Sequence, residues 1–105
     1  MAQSGGMNSG AAERTGAALR ISDDAHSVRM DDQVIVADMR SGRYLGLDDV
    51  GARVWDLIGE GATCEYIVER LSGEYDAPGD VLERDVQRLL QDLLQRRLVE
   101  YATSG

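Results

Sequence analysis

Apolar and polar residues alternate, with interruptions, along three short segments in the first half of the chain. The segments span residues 26–30, 33–38 and 43–47, and an Asp-Asp pair and a Ser-Gly pair separate them as turn signals. The middle segment is the most apolar, as a central strand should be, and Gly46 interrupts the third. The pattern predicts an antiparallel three-stranded meander with residues 43–47 as an edge strand.

From residue 48 onward the apolar residues recur every three or four positions, which is typical of amphipathic helices. Two of the three predicted helices are too short to cover the sheet alone, so the third must fold back over it. The order β-β-β-α-α-α therefore predicts a winged-helix-like α+β domain. The apolar stripes of the three helices are Val50, Val54, Leu57 and Ile58, then Cys64, Ile67, Val68 and Leu71, and finally Leu82, Val86, Leu89, Leu90 and Leu93.

Polar residues predict where each helix begins. Asp48 can cap the first helix and Thr63 the second, while the spacing of Asp80 and Glu83 matches a capping box for the third. The consecutive acids of the chain thus have turn and capping roles, which backbone hydrogen bonding favours for aspartate. Cys64 falls on the buried stripe of the second helix and is expected to be a core thiol.

The two ends of the chain lack such patterns. Residues 1–20 mix Gly, Ala, Ser, Asn and Thr without periodicity, which predicts a disordered arm that is dispensable for folding. The domain is expected to span residues 21–102, with residues 99–101 as a short extended tail.

Composition narrows the possible functions. The 105 residues include 11 arginines, no lysine and 19 acids, for a net charge of −8. Such an acidic chain repels phosphate backbones, which argues against nucleic-acid binding. No apolar run is long enough for a membrane span and no secretory signal is present, so we expect a cytoplasmic protein. A single Cys excludes an internal disulfide and a cysteine metal cluster, and no metal or cofactor is expected.

The candidate catalytic residues do not form a constellation. The only imidazole, His26, lies at the start of the first strand, and the only thiol, Cys64, lies on a different element. No phosphate-binding glycine loop or nucleophile elbow occurs. We therefore expect a protein that is not an enzyme.

A groove is expected between the edge strand and the flank of the third helix. An extended peptide could bind there as an added strand, with affinity from backbone hydrogen bonds and selectivity from side-chain pockets. The alternative is a solvated helix flank with ion pairs between successive turns. The candidate peptide-binding residues are Arg43, Tyr44, Leu45, Gly46 and Leu47 on the strand and Val81, Asp85, Arg88, Leu89 and Asp92 on the helix.

The segment between residues 43 and 100 resembles a known family. The run RYLGLDDVGARVWDLI at residues 43–58, the spaced hydrophobics after it and the LVE at residues 98–100 are similar to a PqqD-like peptide-recognition domain. The resemblance covers about residues 24–101. Within the family, the chain is most similar to small stand-alone proteins of lasso-peptide biosynthesis, a class of RiPP recognition element.

The resemblance implies a partner as well as a fold. Such a module binds the leader segment of a ribosomally synthesised precursor peptide beside the third strand, against the third helix. It presents the precursor to a separate leader peptidase or other modifying enzyme and carries no catalytic residue. Two alternatives stay open, a winged-helix DNA-binding regulator and a non-catalytic subunit of a larger enzyme. Asp80, Glu83 and Asp85 argue against the first, because they open the helix that would face DNA.

Overall fold

The structure is a computed structural model that describes residues 17–102. It confirms an α+β fold in which a three-stranded antiparallel sheet precedes three helices, and it adds a two-stranded ribbon. Within the described range, no helix is long and apolar enough to cross a membrane. The elements are β1 (Leu19–Ile21), β2 (Ala25–Met30), β3 (Gln33–Asp38), β4 (Arg43–Leu47), α1 (Asp49–Gly59), α2 (Cys64–Glu74), α3 (Gly79–Gln95) and β5 (Val99–Tyr101).

The main sheet has the strand order β2-β3-β4, so the prediction of β4 as an edge strand is confirmed. Val36 lies opposite Ser27 on one side and Leu45 on the other, and these residues share the face that packs on the helices. Val34 and Val36 are buried on that face, which we call the inner face. The apolar residues of β3 therefore join the sheet to the helical layer.

The ribbon of β1 and β5 corrects two predictions. β1 contains residues that were assigned to the disordered arm, and β5, predicted as a short extended tail, pairs with β1 as a strand. The strands pair antiparallel, with Leu19 opposite Tyr101 and Ile21 opposite Val99. The Leu19 side chain is only 1% exposed, and its amide donates to the Ala62 carbonyl at 2.9 Å. Three-residue strands are too short to show a period, so burial of Leu19 had no signature in the sequence.

The predicted arm ends earlier than expected for this reason. Residues 17–20 belong to the folded chain, and the remaining part of the arm, residues 1–16, lies outside the described residues. The domain boundary predicted at residue 21 thus falls at the end of β1. Cutting the chain at that boundary would remove one strand of the ribbon.

Helix capping follows the prediction at two helices and differs at the third. Asp48 Oδ1 accepts from the Gly51 amide at 2.9 Å, and Thr63 Oγ1 accepts from the Tyr66 amide at 3.0 Å. At α3 the predicted capping box does not form, because Pro78 occupies the cap position and Asp80 already lies in the first turn. Proline sets a φ that suits a helix start, and the Asp80 carboxylate still interacts favourably with the positive end of the helix.

The core lies between the inner face of the sheet and the three helices. α1 packs on β1, β3 and β4, whereas α3 packs on α2 and β5. Trp55, on α1, is 4% exposed. Cys64 departs from prediction, since it is only partly buried against the core, and burial raises the pKa of its thiol. Four residues of the α3 stripe are buried: Leu82, Val86, Leu90 and Leu93.

Candidate functional site

A groove of about 860 Å³ separates β4 and the start of α1 from one flank of α3. It exists because the buried stripe of α3 packs on α2 and β5, leaving the neighbouring flank of the helix facing the sheet edge across open space. The residues that line the groove are Leu45, Gly46, Leu47, Asp48, Val50, Gly51, Asp85, Arg88, Leu89, Gln91, Asp92 and Gln95.

The floor of the groove is apolar and its rim is charged. Leu47 is buried, and Leu45 and Leu89 are half-buried against the core. The rim comes from α3, where Asp85, Arg88 and Asp92 follow one another at helical spacing beside the apolar stripe. A ligand that fits this groove must bring apolar side chains to the floor and polar groups to the helix side.

The backbone of β4 forms the other wall. Among residues 17–102, β4 pairs only with β3, so within this range its outer edge presents backbone N–H and C=O groups that have no strand partner. An extended peptide can hydrogen-bond to such an edge regardless of its side chains. The groove therefore combines a general site for a peptide backbone with side-chain pockets that can select a sequence.

Some charged side chains of the groove already have a hydrogen-bond or ion-pair partner within the described residues, and others do not. Asp92 accepts from Arg96 Nε at 3.0 Å, and Asp48 is engaged as the α1 cap. Asp85 and Arg88 form no ion pair within residues 17–102. These two side chains are the charges that a ligand can engage without displacing an existing partner.

A smaller pocket of about 200 Å³ lies at the end of the groove nearest the β3–β4 turn. Leu45 lines both spaces, so the pocket continues the groove along β4. Asp38 and Ser41 hydrogen-bond to each other at this end, and that bond is the main cause of the lowered pKa of Asp38. The pocket is lined by Val36, Asp38, Ser41, Arg43, Tyr44, Leu45, Arg96 and Leu98.

Most of the sequence-predicted site residues meet in this place. Arg43 and Tyr44 line only the smaller pocket, and Tyr44 is 74% exposed on the face of the sheet opposite the helices. Val81 is exposed and lines neither space. The predicted residues that line the groove are Leu45, Gly46, Leu47, Asp85, Arg88, Leu89 and Asp92.

The sequence reasoning missed the contribution of α1. Val50 and Gly51 line the groove because α1 begins immediately after β4 and its first turn stays beside the edge strand. The sequence feature that could have predicted this contribution is the direct succession of β4 and α1 along the chain. Gln91 and Gln95 also line the groove without having been predicted: Gln91 lies between Arg88 and Asp92, and Gln95 lies about one turn beyond Asp92.

The chemistry-bearing side chains stay apart. His26 lies on β2 and Cys64 at the start of α2. In the part of the chain that the structure describes, no three His, Cys, Asp or Glu side chains form a group that could hold a metal ion. The groove carries carboxylates, one guanidinium and apolar groups, which is a set suited to binding.

Comparison with known proteins agrees with this geometry. The chain is similar to the structure of TbiB1 in complex with the TbiA(beta) leader peptide, with 39% sequence identity, a TM-score of 0.73, and coverage of 80% of this chain and 99% of that one. It also shares its fold with a lasso peptide synthetase B1 complexed with the leader peptide, with 23% identity, a TM-score of 0.71, and coverage of 78% and 96%. A search of curated proteins gives no match.

A family model covers most of the folded chain. The model described as coenzyme PQQ synthesis protein D (PqqD) matches residues 33–99, from β3 through the start of β5. The match contains both walls of the groove, since it runs through β4, α1 and α3. On the strength of that match and of the 39% identical structure, the chain belongs to the PqqD family.

Proposed function

We propose that this protein binds the leader segment of a ribosomally synthesised precursor peptide in lasso-peptide maturation. The observation that carries the proposal is the groove, which joins an unpaired strand edge to an apolar floor with a charged rim. The 39% identical relative is a protein in complex with a leader peptide. The shared fold and the groove together favour the same class of ligand here.

The leader would bind as a strand added to β4. Alternate residues of an added strand point to opposite faces of a sheet. One set therefore faces Leu47 and Leu89 in the groove, and the other set extends the face that carries Tyr44. The free charges of Asp85 and Arg88 can then select peptides by the polar side chains next to the apolar ones.

In this proposal the protein is not an enzyme and hands the bound precursor to a leader peptidase or other maturation enzyme. The separation of His26 from Cys64 supports a binding role, because a nucleophile needs its base within hydrogen-bonding distance. Precursor peptides of this kind are made on cytoplasmic ribosomes, so we place the binding step in the cytoplasm.

The outer face of the sheet is the surface that we assign to the maturation enzyme. Val28 and Met30 are 62% and 58% exposed there, and Tyr44 lies on the same face through its pairing with Ala37. Contiguous exposed apolar side chains mark protein interaction sites. A peptide strand added to β4 would extend this face. An enzyme that covers the face would therefore contact both this protein and the bound peptide.

Isothermal titration calorimetry with a synthetic leader peptide tests the binding step. The peptides are the TbiA(beta) leader and the leader of a lasso precursor found in the gene neighbourhood of this chain, each with a scrambled version as the control. The proposal expects saturable one-to-one binding of the neighbouring leader and at least about 10-fold weaker binding of its scrambled form. Equal binding of native and scrambled peptides, or no binding of either leader, would contradict it.

A double variant tests the enzyme-facing surface. Val28→Ser with Met30→Ser should leave leader affinity within about twofold. It should slow leader removal by a leader peptidase that acts on the same precursor about 10-fold, because interface anchors dominate binding energy. Tyr66→Ser, an exposed site on α2, is the control that should affect neither measurement. If leader removal proceeds at the wild-type rate with the double variant, the enzyme binds a different surface of this protein.

A further inference from the structure

Arg40, in the turn between β3 and β4, joins that hairpin to the end of α3. Its Nη2 donates a hydrogen bond to the Arg97 carbonyl at 2.9 Å. Its Nε lies 3.4 Å from Asp24 Oδ2 and 3.7 Å from Asp38 Oδ1, so two carboxylates orient the guanidinium. A single side chain thus connects the sheet, the β1–β2 link and the C-terminal turn of the helix.

The acceptor of that hydrogen bond is itself held in place by the helix ending. Arg97 has a φ of 59°, a left-handed conformation that usually falls to glycine. Its amide donates to the Leu94 carbonyl at 3.1 Å, and the Leu98 amide donates to the Leu93 carbonyl at 3.0 Å. This pair of bonds is a Schellman motif, which fixes the direction of the Arg97 carbonyl.

The contact with Arg40 matters because β4 and α3 pack mainly on other elements, although both contribute side chains to the shared core. β4 is held by β3 and by α1, whereas α3 is held by α2 and β5. The groove and the smaller pocket fill the space between β4 and α3. Arg40 lines neither of them, yet it bridges the walls at the end where Arg43 and Arg96 flank the smaller pocket.

We propose that Arg40 is a positioning residue that sets the separation of the groove walls by tying the β3–β4 hairpin to the C-terminal turn of α3. The predicted effect on leader binding rests on the proposed function. The predicted effect on the wall separation rests on the geometry alone. An added peptide strand must reach the β4 backbone and the α3 flank at once. A loosened hairpin lets β4 move away from α3, so the peptide loses one of the two sets of contacts.

The binding test uses Arg40→Ala and Arg40→Lys, titrated with the leader peptide that the wild-type protein binds. Arg40→Ala should weaken binding about 5-fold, the range seen for substitutions that act without touching the ligand. Arg40→Lys should recover most of that loss, because the ammonium can still donate to the Arg97 carbonyl. Arg29→Ala is the matched control. It removes one arginine charge, as Arg40→Ala does, and it breaks the Arg29–Asp56 ion pair between β2 and α1. It should change leader affinity less than twofold.

Amide hydrogen exchange of the peptide-free protein tests the geometry separately. In Arg40→Ala, exchange should rise about 3-fold or more in β4 and in residues 96–98, with α1 unchanged, because only the hairpin contact is lost. Asp24→Asn removes one of the carboxylates that orient Arg40, and it should raise exchange of the same amides by a smaller factor. This variant replaces Arg40→Ala in the test if Arg40→Ala does not fold. Unchanged exchange in these variants, or wild-type affinity of Arg40→Ala, overturns the positioning role. If the wild-type protein binds no leader, the proposed function fails while the exchange result still decides the role of Arg40.

Discussion

The indole Nε1 of Trp55 donates a hydrogen bond to Ser27 Oγ at 3.1 Å. This bond connects the buried face of α1 to the inner face of β2, the edge of the main sheet farthest from the groove. Arg29 on the same strand reaches Asp56 beside Trp55. α1 is therefore anchored at the β2 edge by polar contacts and at the β4 edge by its direct connection to that strand.

Ser27→Ala tests the Trp55 contact. The substitution leaves the nearly buried indole N–H without its protein acceptor, so we expect the free energy of unfolding to fall by about 1 kcal/mol. Urea denaturation followed by circular dichroism measures the change. Leader affinity should stay within about twofold, since the contact lies at the other edge of the sheet. No loss of stability would mean that water replaces the serine hydroxyl at no cost.

Arg88→Ala tests the charged rim of the groove. Arg88 has no ion-pair partner among the described residues, so its removal should change stability by no more than about 0.5 kcal/mol. A guanidinium engaged by a peptide in a partly desolvated groove contributes more, and we expect about 10-fold weaker leader binding by calorimetry. Arg70→Ala on α2 removes the same charge away from the groove and should bind as the wild type does. Equal affinity of both variants would move the binding surface away from this flank of α3.

The Arg53–Glu74 ion pair makes stability depend on pH. Arg53 Nε and Nη2 donate to the two Glu74 oxygens at 2.9 Å each, and these hydrogen bonds lower the pKa of Glu74. A carboxyl with a lowered folded-state pKa stabilises the protein above its unfolded-state pKa, and that contribution is lost as the pH falls through the folded-state value.

Glu74→Gln should therefore lower the melting temperature at pH 7. Its effect should shrink as the pH falls below the ordinary glutamate pKa of about 4.3 and through the lowered pKa of the folded state. Thermal melts from pH 7 to pH 3 measure the difference between the two proteins. Glu69→Gln on the same helix is the control, because Glu69 forms no ion pair in the described part of the chain. A difference between wild type and Glu74→Gln that stays constant over this range would contradict the assigned role of the pair.

Two truncations separate the arm from β1. Removing residues 1–16 should leave the melting temperature nearly unchanged, since that segment has no apolar periodicity. Extending the deletion through Ile21 removes the Leu19 side chain from the core and should cost about 3 kcal/mol or more. Leu19→Ala in the full chain, measured by the same denaturation, distinguishes loss of the side chain from loss of the strand. Equal stability of the two truncated proteins would mean that β1 contributes nothing to the fold.

The strands and helices were predictable where a long enough segment repeats its pattern. β3, β4 and all three helices follow directly from the spacing of apolar residues, because one face of each must be buried. The ribbon of β1 and β5 was not predictable, since each strand has three residues and its pairing joins distant parts of the chain. The start of α3 was misassigned because the Asp80–Glu83 spacing matches a capping box, whereas the residue at the cap position is Pro78.

The site was predictable in outline and less so in its details. Helical spacing placed Asp85, Arg88 and Asp92 on one flank, and the edge position of β4 placed Leu45 opposite them. Val81 lies outside both spaces because helical spacing gives the direction of a side chain around the helix axis, whereas the extent of the groove along that axis depends on where the sheet ends. The hydrogen bond from Arg40 to the Arg97 carbonyl was not predictable from the sequence. It depends on the left-handed backbone conformation of Arg97, and sequence rules expect glycine at such a position.

In the proposed binding mode, a leader peptide adds a strand to β4. Isotope-edited NMR of the labelled protein with unlabelled leader peptide tests it directly, through cross-strand contacts between backbone protons. We expect contacts between the peptide and Arg43–Leu47, together with new protection of β4 amides from hydrogen exchange. Contacts to β2 at the opposite edge, or a bound peptide with no backbone contacts to β4, would contradict it.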